Sequence, residues 1–250
     1  VAAMQRLRGR RKPVTPLAGC RGIAVAASGV HTLASPVDFR IRLLDLMAQA
    51  RHRILLTALY LQDDESGREV LEALYAAKAA RPELQIAVFV DWHRAQRGLI
   101  GKEASAGNAA LYRAMAQRLG SGVPIFGVPV QIREWMGVMH LKGFVIDDKV
   151  LYSGASLNDV YLQRAERYRL DRYHLIESRA LADSMAALMS SVLRGNPAVC
   201  PLDGEPRPKT RSLRGAIIRF RRVLVKSRYT VLVEAAGQGE VTITPLLGFG

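Results

Sequence analysis

The sequence predicts an α/β fold: a mixed β-sheet flanked by helices. Three observations carry this. Short apolar runs alternate with amphipathic helical stretches, a pattern of strand–helix–strand layers. Of the 250 residues, 49% are hydrophobic and 23% charged, which is ordinary globular composition and excludes wholesale disorder. The length suits one or two domains with a proper core.

The elements follow in order. Ser35-Pro36-Val37-Asp38 reads as a helix start, with serine capping, proline in the first turn and an acid beside it. Phe39, Leu43, Leu46 and Ala50 then mark one helical face. The continuous apolar run Ile54–Leu59 predicts a strand buried on both faces. Ser66-Gly67-Arg68-Glu69 resembles a capping box opening a helix to about Ala80. The acids Asp63, Asp64 and Glu65 before it suit a helix N-terminus better than a metal site. Leu84–Val90 predicts a second buried strand, and residues 108–119 a helix. Pro124 and Pro129 punctuate a strand-rich stretch. Met139–Ile146 and Val150–Ser153 read as strands joined by a tight turn at Asp147-Asp148-Lys149. Tyr173–Ile176 is a further strand, and residues 180–194 a helix closed by Gly195-Asn196-Pro197.

The net charge of +14 is localised. Residues 1–12 hold five basic side chains and no acid, residues 207–228 nine and no acid, and the remaining chain is neutral. Two basic attachments on a neutral globule seek a polyanion, either nucleic acid or an anionic membrane. In the second stretch Leu213, Ile217, Phe220 and Leu224 line one helical face and arginines fill the rest. Such a helix suits a lipid interface, or packs on its own domain with its arginines in water, and periodicity alone favours the packing. The N-terminal arm reads as a disordered tail. No run of eighteen apolar residues provides a membrane-spanning helix, and the first residues lack the apolar stretch of a secretory signal. Cys20 and Cys200 build neither a disulfide framework nor zinc spacing, which fits a reducing cytosol.

The chemistry concentrates at His140-Leu141-Lys142-Gly143-Phe144-Val145-Ile146-Asp147, a match to H-x-K-x-x-x-x-D. Composition allows only about 0.006 such matches by chance. On a strand, residues 140 and 142 share a face, so an imidazole and an ammonium point into the same space. Neutral imidazole is a competent nucleophile near pH 7, and the ammonium neutralises a phosphate oxygen as charge develops at phosphorus. Asp147 falls at the turn, better placed to hold the strand end than to attack. Arg94 and Arg97 follow a buried strand, where ligands of α/β sheets bind; by position they equally suit a grip on a pyrophosphate or cytidine phosphate, or a surface loop with solvated arginines. His93 is equally a binder or a satisfied loop histidine. His174, in a short apolar strand, suits a packed core role, while His31 and His52 carry no signal.

The H-x-K-x-x-x-x-D motif resembles the signature of the phospholipase D superfamily. Further segments resemble, within it, the bacterial phosphatidylserine synthase family: Ala58–Leu61, Val90–Gly98, Leu151–Leu162, Asp171–Ile176 and Thr244–Leu246. The resemblance spans residues 35 to the C-terminus. It implies a phospholipase D-like mixed sheet flanked by helices, the first of two similar halves. It also implies phosphatidyl transfer from CDP-diacylglycerol to L-serine, giving phosphatidylserine and CMP through a phosphatidyl-histidine. His140 matches the nucleophile, Lys142 the phosphate contact and Asp147 a supporting residue. Asn158, Arg94, Arg97 and His93 fall to substrate binding. Asn158 stands four residues after Gly154, where the generic superfamily spacing is three.

No cofactor or metal is implied, and no specific nucleic-acid partner. The implied location is cytoplasmic, peripheral on the inner face of the cytoplasmic membrane. Alternatives within the superfamily are cardiolipin synthesis, phospholipase D hydrolysis, or a dimeric nuclease. A different class is a non-catalytic membrane-binding protein.

The expected organisation is a basic arm and lead-in over residues 1–34 and a first catalytic half over 35–195. A proline-rich linker and basic helix follow over 196–238, and 239–250 begin a second half. The motif occurs once, so the sequence reads as an N-terminal fragment, inactive or nearly so alone unless two copies pair their motifs.

Overall fold

A computed structural model describes residues 21–97, 107–120, 122–204, 208–231 and 239–248. The basic arm, Cys20, Gly98 and Arg207 lie outside the described residues.

Local signals start most helices. Ser35 caps α1 (Pro36–Gln49), its hydroxyl accepting from the Asp38 N–H. Helix α2 (Glu65–Ala80) starts earlier than the capping-box reading has it. Asp64 is its cap, accepting from the Gly67 N–H, while Ser66 is buried inside the first turn. A one-turn helix α3 (Trp92–Ala95) is capped by Asp91, and α4 spans Asn108–Leu119 as expected. Helix α5 (Arg179–Leu188) continues as a π-helical turn over Met189–Leu193, and α6 spans Arg214–Lys226.

The strands are β1 (Ile23–Val25), β2 (Val30–Leu33), β3 (Arg53–Ala58), β4 (Gln85–Asp91), β5 (Ile125–Val128), β6 (Gly143–Ile146), β7 (Lys149–Ser153), β8 (Tyr173–Glu177), β9 (Cys200–Pro201) and β10 (Val241–Ile243). Eight form one mixed sheet in the order β2-β8-β7-β6-β3-β4-β5-β9. Strands β3, β4 and β5 run parallel, joined by helical crossovers, and the other pairs are antiparallel.

Alternation explains the apolar runs. Ile54, Leu56 and Ala58 enter the core beneath α1, α2 and α4. Leu55, Ala87 and Phe89 point the other way, into a second core under α5 and α6. A strand covered on both faces has no solvent side to make polar.

One element differs from its expectation: residues 139–142 are not strand, because β6 begins at Gly143, opposite the last residues of β3. Within the proline-rich stretch after α5, β9 pairs with β5, and Ala198 and Leu202 are fully buried. Residues 241–243 form the expected short strand; it pairs with β1, and Ile243 and Leu247 pack on the second core.

The apolar stripe of α6 is also spoken for. Ile217, Phe220 and Leu224 are buried in the second core. Burial contributes roughly 1.5–3 kcal/mol for each such side chain. Lipid offers no gain over that, so the stripe stays on the protein, and what remains available is the outer face, rich in arginine with Ile218, Val223 and Val225 exposed among them.

Candidate active site

The site lies at one end of the sheet's central strands. The carboxyl ends of the parallel strands β3 and β4 meet the start of β6 there, because Thr57 pairs with Gly143 and its hydroxyl donates to the Gly143 carbonyl at 2.9 Å. This is where parallel α/β sheets carry their ligands.

His140 and Lys142 precede β6. Alternation persists through them although the ladder does not: Met139 and Leu141 join the core under α5, as Val145 does. Lys142 turns instead toward the loop after β7. Lys142 is 8% exposed, and its ammonium donates to the Ala155 carbonyl at 3.1 Å and to Ser156 Oγ at 3.4 Å. Burial pulls its pKa down to about 8, against the opposing pull of Asp171. His140 is exposed, at the mouth of an apolar cavity of about 700 Å³ that Lys142 also lines. Partial burial, then the positive charges of Lys142 and Arg94, hold its pKa below the ordinary histidine value. At neutral pH it is therefore an unprotonated imidazole beside a fixed cation. That pair suits attack on a phosphodiester or pyrophosphate.

Asp147 is far from this chemistry. It sits at the β6–β7 turn with φ 50°, a left-handed conformation that aspartate tolerates. Oδ2 accepts from the Arg51 N–H at 2.8 Å, and Oδ1 from those of His52 and Arg53 at 2.8 and 3.0 Å. Burial raises its pKa, but the three N–H donors outweigh burial and hold it below the usual carboxylate range. Asp147 thus fastens the α1–β3 connection to the hairpin. With the folded pKa depressed, its stabilisation is present above the unfolded value and lost as pH falls through the folded one. Asp147→Ala is expected to cost about 1–3 kcal/mol of stability at pH 7. The difference from the parent protein should shrink in acid, measured by urea unfolding at each pH.

The other candidates divide. Asn158 is 7% exposed. Its amide donates to Tyr60 Oη and Gln62 Oε1, both at 3.3 Å, and its carbonyl accepts from the Tyr161 N–H at 3.0 Å. It lines a second, polar cavity of about 810 Å³, together with Arg94. Arg94 lies over the Tyr60 ring, 5.1 Å from its centroid. Both arginines hold Glu134: Arg94 at 3.2 Å, Arg97 through both oxygens at 2.9 and 3.0 Å. Their pull overcomes burial and keeps Glu134 below its ordinary pKa. His93 is engaged elsewhere, its Nε2 lying 2.9 Å from the Gln131 carbonyl oxygen. It fastens a loop rather than offering a free ring to a ligand. His174 Nδ1 lies 3.4 Å from Thr32 Oγ1. Among the described residues no group of three or more His, Cys, Asp or Glu is arranged to hold a metal ion.

One organising residue escaped the sequence reading. Asp91 is fully buried; Oδ1 caps α3 through the His93 and Arg94 N–H groups, and Oδ2 accepts from the Met139 N–H at 2.7 Å. It ties the residue before His140 to the end of β4. The available signal was an acid closing an apolar run, a place where burial demands partners.

This arrangement at the end of the central strands, with a histidine and a lysine before β6, defines a phospholipase D-like domain. The family model described as cardiolipin synthase, PLD-like domain, matches residues 43–192, and the chain belongs to that family. Among named relatives it is similar to the CDP-diacylglycerol–serine O-phosphatidyltransferase of Escherichia coli, 46% identical over 96% of this chain and 53% of that protein. The enzyme of the same name from Haemophilus influenzae is 42% identical over 91% of this chain and 51% of that protein. The crystal structure of the Haemophilus influenzae phosphatidylserine synthase superposes with a TM-score of 0.82 at 42% identity, covering 87% of this chain and 48% of that one. The chain thus spans about half the length of these relatives.

Proposed function

We propose that this protein transfers a phosphatidyl group from CDP-diacylglycerol to L-serine, giving phosphatidylserine and CMP. The observation that carries this is the exposed, unprotonated His140 beside the buried cation Lys142 at one cavity mouth. The similarity to two serine phosphatidyltransferases supports the choice of substrates. A His140 ring nitrogen attacks the lipid-side phosphorus; a P–N bond forms and the P–O bond to CMP breaks. The serine hydroxyl then attacks the phosphatidyl-histidine: a P–O bond forms, the P–N bond breaks to return the imidazole, and the hydroxyl proton passes to the group that had protonated CMP. Lys142 neutralises the phosphoryl oxygen charge in both steps. The leaving CMP needs a proton donor, and the family supplies one from a second motif. That motif comes from outside this sequence or from a second copy, so the chain alone is expected to be inactive or nearly so as a monomer.

The test follows CMP release from CDP-diacylglycerol in mixed micelles by the intact protein carrying this sequence. Serine-dependent release supports the reading. Release without serine points to hydrolysis or another acceptor, and no release discards the reading.

The protein is further proposed to work at the cytoplasmic face of the membrane, bound peripherally. Among the described residues no helix is long and apolar enough to cross a bilayer. Arg214, Arg219, Arg221 and Arg222 are exposed on α6, whose apolar stripe is buried, so the association is electrostatic. Each basic residue near an anionic surface is worth about 1 kcal/mol. Neutralising all four should weaken binding to anionic liposomes by about 10²- to 10³-fold, and salt should weaken the parent protein's binding. Binding indifferent to salt in a sedimentation assay would refute this.

A further inference from the structure

We infer that the apolar cavity beside His140 holds an acyl chain of the lipid donor, with the donor's phosphate at the mouth against His140 and Lys142. The inference rests on the phosphatidyl-transfer reading and adds where the hydrocarbon goes.

The cavity lies on the α5 side of the sheet. Leu181 and Met185 of α5 cover it, Val150 and Ile176 form its floor, and Tyr229 and Ile243 close its far side. Its volume of about 700 Å³ falls within the usual range of small-molecule sites. Among the described residues no acid lines it, and His140 and Lys142 are its basic groups. Met185, which lines it, seats against bare backbone: at Gly143, φ 122°, an added Cβ would stand 2.5 Å from Met185 Cε.

The second cavity, of about 810 Å³, has the opposite character. Asp63, Asp64, Asp159, Arg94, Arg167 and Arg169 line it, and a hydrocarbon there would strand these charges. Arg94 lines this cavity, and its positive charge is one of those that lower the His140 pKa. The site thus has an apolar cavity with His140 at its mouth and a separate charged cavity that includes Arg94. A nucleotide-activated lipid divides the same way about its lipid-side phosphorus, with hydrocarbon on one side and pyrophosphate and nucleoside on the other.

The route from a membrane fits as well. Tyr229 follows directly on the exposed basic helix α6, which ends at Lys226. Burial drives the Tyr229 hydroxyl up to about 12, so it stays neutral against hydrocarbon. A surface-docked protein would thus present the cavity beside its anionic contact.

The experiment compares the intact parent protein with Leu181→Trp. Donors are CDP-diacylglycerols with six-carbon and with eighteen-carbon chains, at equal surface fraction in the same detergent. Burying a methylene is worth about fourfold in affinity, and tryptophan displaces several. The ratio of long-chain to short-chain kcat/KM is expected to fall at least about tenfold. A folded variant in which both donors lose equally overturns the inference. Should Leu181→Trp fail to fold, the parent protein decides with a CDP-diacylglycerol carrying a diazirine at the acyl terminus. Adducts at Leu181, Met185 or Tyr229, chased by unlabelled donor, support the cavity; adducts confined elsewhere overturn it. If the parent protein releases no CMP from either donor, phosphatidyl transfer itself has failed. That outcome differs from an active enzyme with an unoccupied cavity.

Discussion

His140→Ala in the intact protein is expected to lower serine-dependent CMP release by at least about 10⁴-fold, because it deletes the atom that bonds to phosphorus. Alanine leaves no group that can hold the phosphatidyl intermediate, and Lys142 alone retains only ground-state attraction for phosphate. His140 is exposed and makes no hydrogen bond to the described residues, so its loss should leave thermal unfolding close to that of the parent protein. Parent enzyme incubated with donor labelled at the lipid-side phosphate and quenched in alkaline detergent, where a P–N bond survives, should carry label on His140, and the variant none. The pH dependence adds a second readout. The neutral imidazole is the working form, and partial burial with the charges of Lys142 and Arg94 lowers its pKa. Activity should therefore persist into acid below the ordinary histidine value of about 6.5. Arg94→Gln removes one of those charges and should move the acidic limb upward. An alanine variant retaining a tenth of parental activity would remove His140 as nucleophile.

Lys142→Ala is the second large effect, with kcat lowered by about 10²- to 10³-fold, as for loss of one preorganised donor to a developing oxyanion. Here the cationic form works, and burial has brought its pKa down to about 8. As pH rises through that value the free enzyme loses its phosphate contact, so kcat/KM should fall about tenfold per pH unit above it. Bound phosphate favours the charged lysine, so kcat itself should decline only at higher pH. Lys142→Arg keeps its charge throughout and should lack this alkaline limb, even though the guanidinium fits the pocket poorly. An alkaline limb unchanged in the arginine variant would assign it to another group.

Much of this protein is written locally. Ser35, Phe39, Leu43 and Leu46 specify α1, because capping and 3.6-residue periodicity are properties of adjacent residues. The uninterrupted apolar runs at β3 and β4 announce strands covered on both faces. The spacing of His140 and Lys142 places them on one side even though the strand has not yet begun there. The same holds for α6, whose period marks a stripe that must be buried.

Periodicity says that a face is buried; it does not say against what. Whether the stripe of α6 meets lipid or protein depends on a second core assembled from residues far away in sequence. That Cys200–Pro201 forms an edge strand depends on an open partner, β5. Asp91 matters because the fold brings Met139 to its carboxylate, 48 positions along the chain. His93 is consumed by Gln131, and Arg94 and Arg97 by Glu134. The chemistry available at each residue is set by its own side chain. Which atoms satisfy or free that side chain is settled by contacts between distant segments, and those form only when the chain closes around a common core.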